Sequence, residues 1–286
     1  MVDEEGEGMS EFRPSRLHGT WALTVRELKK WLKDPIILFM TIIQPVLWMG
    51  LLGKAMNIGA IFTSPGLPPG VADQIMKSTF GTGDYFSFMA IGMISFTVMF
   101  TTMFSGMSVV WDRRLGFLNK VLSTPVSRGA IIFSKVLNSS FRAMFQATLI
   151  LIIATIFGLQ FGPTFNPLNI LGIYAAVFLL SVGLSSLFIA LALRSTRQET
   201  QMAVVNLINL PLMFASNVFF PASMMPGWLQ AVANVNPVSY LTDALRQLTV
   251  WEMNVPALMV DFLYLGVFAS VLAAIGIVLS WRYLTK

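Results

Sequence analysis

The chain has 286 residues, of which 55% are hydrophobic and only 12% charged, with a formal net charge of +5 and a mean hydropathy of +0.71. Soluble domains carry about one quarter charged residues, so water is not the main solvent of this fold. Long continuous apolar runs, in place of short alternating ones, exclude a membrane β-barrel and leave an all-α membrane protein. With no cysteine and a single histidine, His18, neither a disulfide framework nor a metal site can be drawn. The basic residues are scattered at the ends of apolar segments rather than gathered on one face, so no nucleic-acid partner is expected.

In chain order, residues 1–14 carry Asp3, Glu4, Glu5 and Glu7 and read as a disordered acidic tail, with no apolar core and cleavage site of a removed signal peptide. The transmembrane domain takes residues 15–286. Leu17, Trp21, Val25, Leu28 and Leu32 fall within about 80° of a helix circumference at 100° per residue. Arg26, Lys29, Lys30 and Lys33 take the opposite arc, Trp31 sits between, and Asp34-Pro35 ends the segment. This spacing predicts an amphipathic helix lying on the inner membrane surface, with lipids as its partners.

Six stretches are apolar enough to span, at about 36–53, 85–110, 131–161, 168–193, 202–220 and 257–281. Sixteen of the nineteen basic residues then fall on one side, and only Lys54, Lys77 and Arg246 on the other. Cytoplasmic loops carry the Lys/Arg excess, so both termini are expected in the cytoplasm. Of the outer segments, 221–256 is unusual: it is too polar to span and too apolar for a free loop. It reads as a re-entrant or interfacial helical hairpin before the last span, with Trp228, Tyr240 and Trp251 at headgroup depth.

Inside the spans the polar residues are few. Gln44, Asn206, Asn209 and Asn217 are candidates for a substrate pathway or dimer seam, and equally for hydrogen-bonding glue between helices. Asn206 and Asn209, three apart, share a helix face ahead of Pro211. Ser181, Ser185 and Ser186 read as sites of close helix approach. Asp261 is the only acid well within a span, which disfavours an ion-coupled carrier. A P-loop is absent: the only Gly-Lys pair, Gly53-Lys54, has Trp48 at the first glycine position and Ala55 at the hydroxyl position.

The stretch after the second span holds Asp112, Arg113, Arg114, Leu115, Gly116, Phe117, Leu118, Asn119, Lys120, Val121 and Leu122, followed by Thr124-Pro125. Leu115, Leu118, Val121 and Leu122 form a helical stripe that Thr124-Pro125 terminates. The stretch resembles the coupling region of ABC type-2 exporter permeases. Phe117 and Asn119 stand where many members have threonine and glutamate, a variant similar to the daunorubicin and multidrug-resistance branch. Gln44-Pro45-Val46-Leu47-Trp48, Phe219-Phe220-Pro221, Met225-Pro226-Gly227-Trp228, Asn236-Pro237-Val238-Ser239-Tyr240 and Arg246 resemble that branch too.

The resemblance implies a homodimeric six-span permease in a prokaryotic plasma membrane, served by two copies of a separate ATPase subunit that binds ATP and Mg2+. This chain would then be no enzyme and bind no cofactor itself. It would export a hydrophobic or amphiphilic compound, or a lipid-linked glycan or other envelope component. By the same resemblance Asp112, Arg113, Arg114, Leu115, Gly116, Phe117, Leu118, Val121 and Leu122 would dock into the ATPase. The surface helix bearing Trp21, Val25, Leu28, Lys29, Lys30, Leu32 and Lys33 would flank that contact, and Arg194, Arg197 and Glu199 would make a second one. An ion-coupled carrier working without an ATPase is the competing class.

Overall fold

The computed structural model describes residues 16–55, 70–123, 127–195 and 197–284, and every regular element in them is helical. The expected acidic tail and Thr124-Pro125 lie outside the described residues. Helix α1 (Arg16–Leu32) ends at Asp34, whose carboxylate then starts α2 (Pro35–Trp48) by accepting from the Ile36 and Ile37 amides at 3.1 Å. Proline in the first turn suits this start, because its missing N–H would be an orphan donor anyway. Pro45 lies within α2, and the helix widens into a π-helical run, Met49–Ala55.

Helix α3 (Val71–Phe80) leads to α4 (Tyr85–Met103), which Asp84 caps by accepting from the Ser87 amide at 2.9 Å. Helices α5 (Ser105–Arg114) and α6 (Phe117–Leu122) follow, separated by Gly116 in the left-handed region at φ 69°. A side chain there would be strained, so glycine lets the chain break helix and restart at once. Beyond them come α7 (Arg128–Ile156), α8 (Asn169–Arg194) and α9 (Gln198–Phe214). The chain closes with α10 (Gly227–Ala233), α11 (Pro237–Thr249) and α12 (Val255–Leu284).

Among the described residues, five helical runs are long and apolar enough to cross a membrane: Pro35–Ala55, Asp73–Arg114, Gly129–Ile156, Asn169–Arg194 and Val255–Leu279. The remaining expected span, about 202–220, is where sequence and structure diverge. Helix α9 stops at Phe214 after 17 residues, about 25 Å at 1.5 Å per residue against a hydrocarbon core of about 30 Å. Beyond it, residues 215–220 are bent rather than helical. Pro211 contributes no amide to the last turns. The freed carbonyls of Leu212 and Ala215 are taken by the Asn236 side-chain amide, both at 2.7 Å.

Helix α4 is the axis of the core, buried at nearly every position from Tyr85 to Met99. Helices α7, α8 and α11 pack around it, and the most extensive pairing in the fold joins α8 to α12. Ser181, Ser185 and Ser186 are buried on α8, and a Cβ at Gly276 would meet the Ser186 carbonyl at 2.9 Å, the close approach expected of small residues. The outer faces of α2 and α12 keep Ile36, Phe39, Met40, Leu47, Met259, Leu263 and Val278 exposed, as lipid-facing helices do.

The 221–256 segment is helical but is not uniformly interfacial. Trp228 on α10 is 71% exposed, whereas α11 is buried along almost its whole length. Trp251 donates to the Phe80 carbonyl at 2.9 Å, and Tyr240 stacks on Tyr264 at 3.8 Å between ring centroids. One contact is set by a glycine: a Cβ at Gly92 would lie 2.2 Å from the Val218 carbonyl oxygen. The variant Gly92→Ala is expected to cost roughly 1–3 kcal/mol by overpacking. A lowered melting temperature of the detergent-solubilised protein would register it; an unchanged one would show that α4 and the bent segment can separate freely.

Candidate functional site

The polar end of α5, at the last turn of the run Asp73–Arg114, holds a charged cluster that joins several helices. Its last turn carries Arg113 and Arg114, where the helix dipole favours cations. Asp112, one residue before them, is only 4% exposed. The Lys135 ammonium of α7 lies 2.5 Å from its carboxylate, donates to the Ser108 hydroxyl at 3.2 Å and lies 4.0 Å from Glu27 on α1. A buried carboxylate is retained only when paired, and this pairing ties α1, α5 and α7 together.

Arg113 extends the tie to a fourth helix. It donates to the Leu193 carbonyl at 2.7 Å and the Ser195 carbonyl at 3.2 Å. Those carbonyls lie at the C-terminal end of α8, where intrahelical donors run out. Arg114 donates to the Gln198 side chain at 3.4 Å, at the start of α9. Helix α6 then folds back: Leu118 and Val121 are buried with Ile131 of α7 and Leu23 of α1, and the Arg26 guanidinium covers the Phe117 ring at 3.7 Å.

The stripe read from the sequence is therefore divided. Leu118 and Val121 face their own chain, while Leu115 is 69% exposed, next to the half-exposed Trp111. The Leu122 side chain lies outside the described residues. Arg194, Arg197 and Glu199 are exposed, adjacent in sequence to the carbonyl and side chain that hold Arg113 and Arg114.

Helix α1 docks on a face different from its apolar stripe. Trp21 and Leu32 are exposed, Val25 and Leu28 half-buried, and Lys29, Lys30 and Lys33 exposed. Thr24, fully buried, donates to the Ser134 carbonyl, and Trp31 is buried against Phe145. The contact with α7 thus runs between the basic and apolar arcs, leaving Trp21 and Leu32 free to meet lipid.

The polar span residues do not converge. Gln44 and Asn206 are exposed, Asn209 is buried, and Asn217 sits in the bent segment, donating to Asp243 at 2.6 Å. The face expected to be common to Asn206 and Asn209 is split, because 60° of helix rotation turns only Asn209 toward the core.

Sequence reasoning placed Arg246 among loop cations. In the structure it is fully buried. Its Nη1 donates to the Asn217 carbonyl at 2.8 Å, Nη2 to Val218 at 2.9 Å and Phe88 at 3.2 Å, and Nε to Phe88 at 3.3 Å. The guanidinium also covers the Phe88 ring at 3.4 Å. Tyr85 donates to the Phe219 carbonyl at 3.1 Å, so three side chains from α4 and α11 or its cap satisfy the broken end of α9. The available signal was Asp243 and Arg246 three apart in a segment already read as half-buried.

Residues 18–250 match the family profile described as ABC-2 type transporter. The chain is 33% identical over 221 residues to the putative transport permease ycf38 of Porphyra purpurea, covering 77% of this chain and 69% of that protein. It is 24% identical over 248 residues to a probable doxorubicin resistance ABC transporter permease of Mycobacterium tuberculosis, covering 82% of each. It is 25% identical over 167 residues to a daunorubicin resistance ABC transporter permease of Streptomyces coeruleorubidus, covering 58% of each.

Proposed function

The chain belongs to the ABC-2 type transporter family, and from that premise we propose that it is the permease subunit of an ATP-driven exporter moving a hydrophobic or amphiphilic compound. Two copies of a separate ATPase would bind ATP and Mg2+. They would work on a homodimer of this chain in a prokaryotic plasma membrane, with both termini cytoplasmic. The printed names of the relatives, doxorubicin and daunorubicin resistance permeases, support an amphiphilic substrate.

The observation that carries the reading is the braced cytoplasmic end. Lys135 joins α1, α5 and α7, and Arg113 joins α5 to α8, so force applied to one exposed point reaches four helices together. The exposed point is Leu115 with Trp111 and Arg114, flanked by Arg194, Arg197 and Glu199. In this reading Asp112, Arg113, Phe117, Leu118 and Val121 form the rigid backing of the docking surface. Closure of the ATPases would push the block as a unit and shift the population toward an outward-open state.

Two structural features fit the six-span homodimer. The bent residues 215–220 follow α9 in the chain and would complete its crossing; residues 215–218 are buried in protein, as lipid requires of irregular backbone. Gln44 and Asn206 are polar groups on otherwise apolar exposed surfaces, which a second copy would cover.

The test is co-expression with the ABC ATPase subunit, sought first in the neighbouring reading frame. Leu115→Asp should lower ATPase association about tenfold or more, the scale of one interface hot spot, while insertion and melting temperature stay unchanged. Undiminished association and coupling would place the docking surface elsewhere. Transport by the purified chain alone under an ion gradient would replace the exporter reading with a carrier.

A further inference from the structure

Five ionisable side chains meet where α1 crosses α7. Arg26 lies 3.2 Å from Glu27, and Lys135 lies 2.5 Å from Asp112 and 4.0 Å from Glu27. The fifth, Arg142 of α7, has no hydrogen bond or ion pair among the described residues, and its Nε is buried without an acceptor. Its guanidinium lies 5.1 Å from the Trp31 ring. Three cations thus face two carboxylates; Glu27, whose charge reaches Arg142, is also shared with Arg26 and Lys135, so Arg142 is the cation with no carboxylate in direct contact.

The donors around it point the same way. Asn138 stands one turn before Arg142 on α7 and Ser139 three residues before it, which places both on the Arg142 side of the helix. The Asn138 side-chain amide, the Ser139 hydroxyl and the Trp31 indole N–H are all buried without an acceptor. Buried donors in native proteins are almost always satisfied. A cluster of unpaired donors around a spare guanidinium is the complement of an oxygen-rich anion.

The surroundings identify the side from which that anion comes. Arg142 is only partly buried, and Phe141 and Phe145 flank it on α7 at 37% and 42% exposure. Trp21 packs edge-on against Phe141, and Trp31 against Phe145. Arg142 lies midway along α7, but its long side chain leans toward the N-terminal, basic end of the helix and can carry the guanidinium to headgroup depth, where exposed aromatic rings are enriched. Lys29, Lys30 and Lys33 are exposed on α1 and make the local field positive, favouring an anionic over a zwitterionic headgroup.

We propose that the outer edge of the seam between α1 and α7 binds an anionic phospholipid, its phosphate on Arg142 and its acyl chains along Phe141 and Phe145. The seam then serves as a lipid-dependent joint between the surface helix and the span it leans on. The proposal rests on the membrane setting of the chain and holds whatever the permease transports.

Native mass spectrometry of the detergent-purified chain with added phosphatidylglycerol reads it directly. One tightly held phosphatidylglycerol per chain is expected, with phosphatidylcholine held at least about tenfold less well, and Arg142→Gln should weaken retention about tenfold or more. Arg142→Lys should recover part of it, since the charge stays while the bidentate fork is lost. Added phosphatidylglycerol should raise the melting temperature of the wild-type chain but not of Arg142→Gln, a readout that also verifies that the variant folds. Equal lipid retention by wild type and Arg142→Gln would overturn the proposal. So would saturable binding of inorganic phosphate alone that Arg142→Gln abolishes, which would make free phosphate the ligand. Loss of ATPase association in Arg142→Gln with lipid retention unchanged would assign the cation to a protein contact and equally overturn it.

Discussion

Replacing Arg246 with methionine is expected to cost about 3 kcal/mol or more, enough to remove most folded protein from the membrane fraction. Methionine keeps an unbranched apolar stem but loses the guanidinium stacked on the Phe88 ring, so the loss is mainly one of charge and hydrogen bonding. Three carbonyls, of Phe88, Asn217 and Val218, would lose their buried donors where no water replaces them. Asp243 would keep the Asn217 amide but lose the positive charge of Arg246 that offsets its own. Arg246→Lys keeps the charge, but three donors on one nitrogen cannot span carbonyls arranged around a planar fork, so it should recover only part of the loss. The double variant Arg246→Met/Asp243→Leu separates the two causes. It removes the orphaned carboxylate yet leaves the three carbonyls unpaired, so only partial rescue of the melting temperature is expected. Full rescue would mean that the charge balance with Asp243 alone mattered and that the bent end of α9 needs no arginine.

How much of this was legible in the sequence depended on which physical signal each part emits. Apolar length located the five long helical runs, four of them to within about five residues, because a span must cross about 30 Å of hydrocarbon; the run Asp73–Arg114 begins well before the expected 85, at α3, which is too polar to read as part of a span. The α1 stripe was legible as the outer face of a surface helix, but the face by which α1 packs on α7 was not. Trp21 and Leu32 of the stripe stay exposed, while Thr24 and Trp31, outside it, pack against protein. The end of α9 was invisible, since residues 215–220 are as apolar as the helix before them. What unwinds them is Asn236 and Arg246, about 20 and 30 residues away in sequence. Burial of Asp112 was equally out of reach, because its partner Lys135 lies 23 positions on and reads as one more inside-positive charge.

That buried pair yields the second large effect. Lys135→Met leaves Asp112 buried without its partner, at a cost of about 3–5 kcal/mol. Asp112→Asn should cost less, because Lys135 keeps the Ser108 hydroxyl and the Glu27 carboxylate. Replacing both, as Asp112→Leu/Lys135→Met, removes the uncompensated charge and fills the site with apolar volume, so most of the stability should return. Melting temperature and ATPase association measured on the same four proteins then distinguish a brace from a docking contact. As a brace, the pair acts only through the position of α5 and α6, and association should return with stability in the double variant. As a docking residue, Asp112 would be missed by the ATPase even in a well-folded protein, and the double variant would be stable but unassociated. With Asp112 4% exposed and Leu115 69% exposed, recovery of both is the expected result, and the contact energy should be found at Leu115.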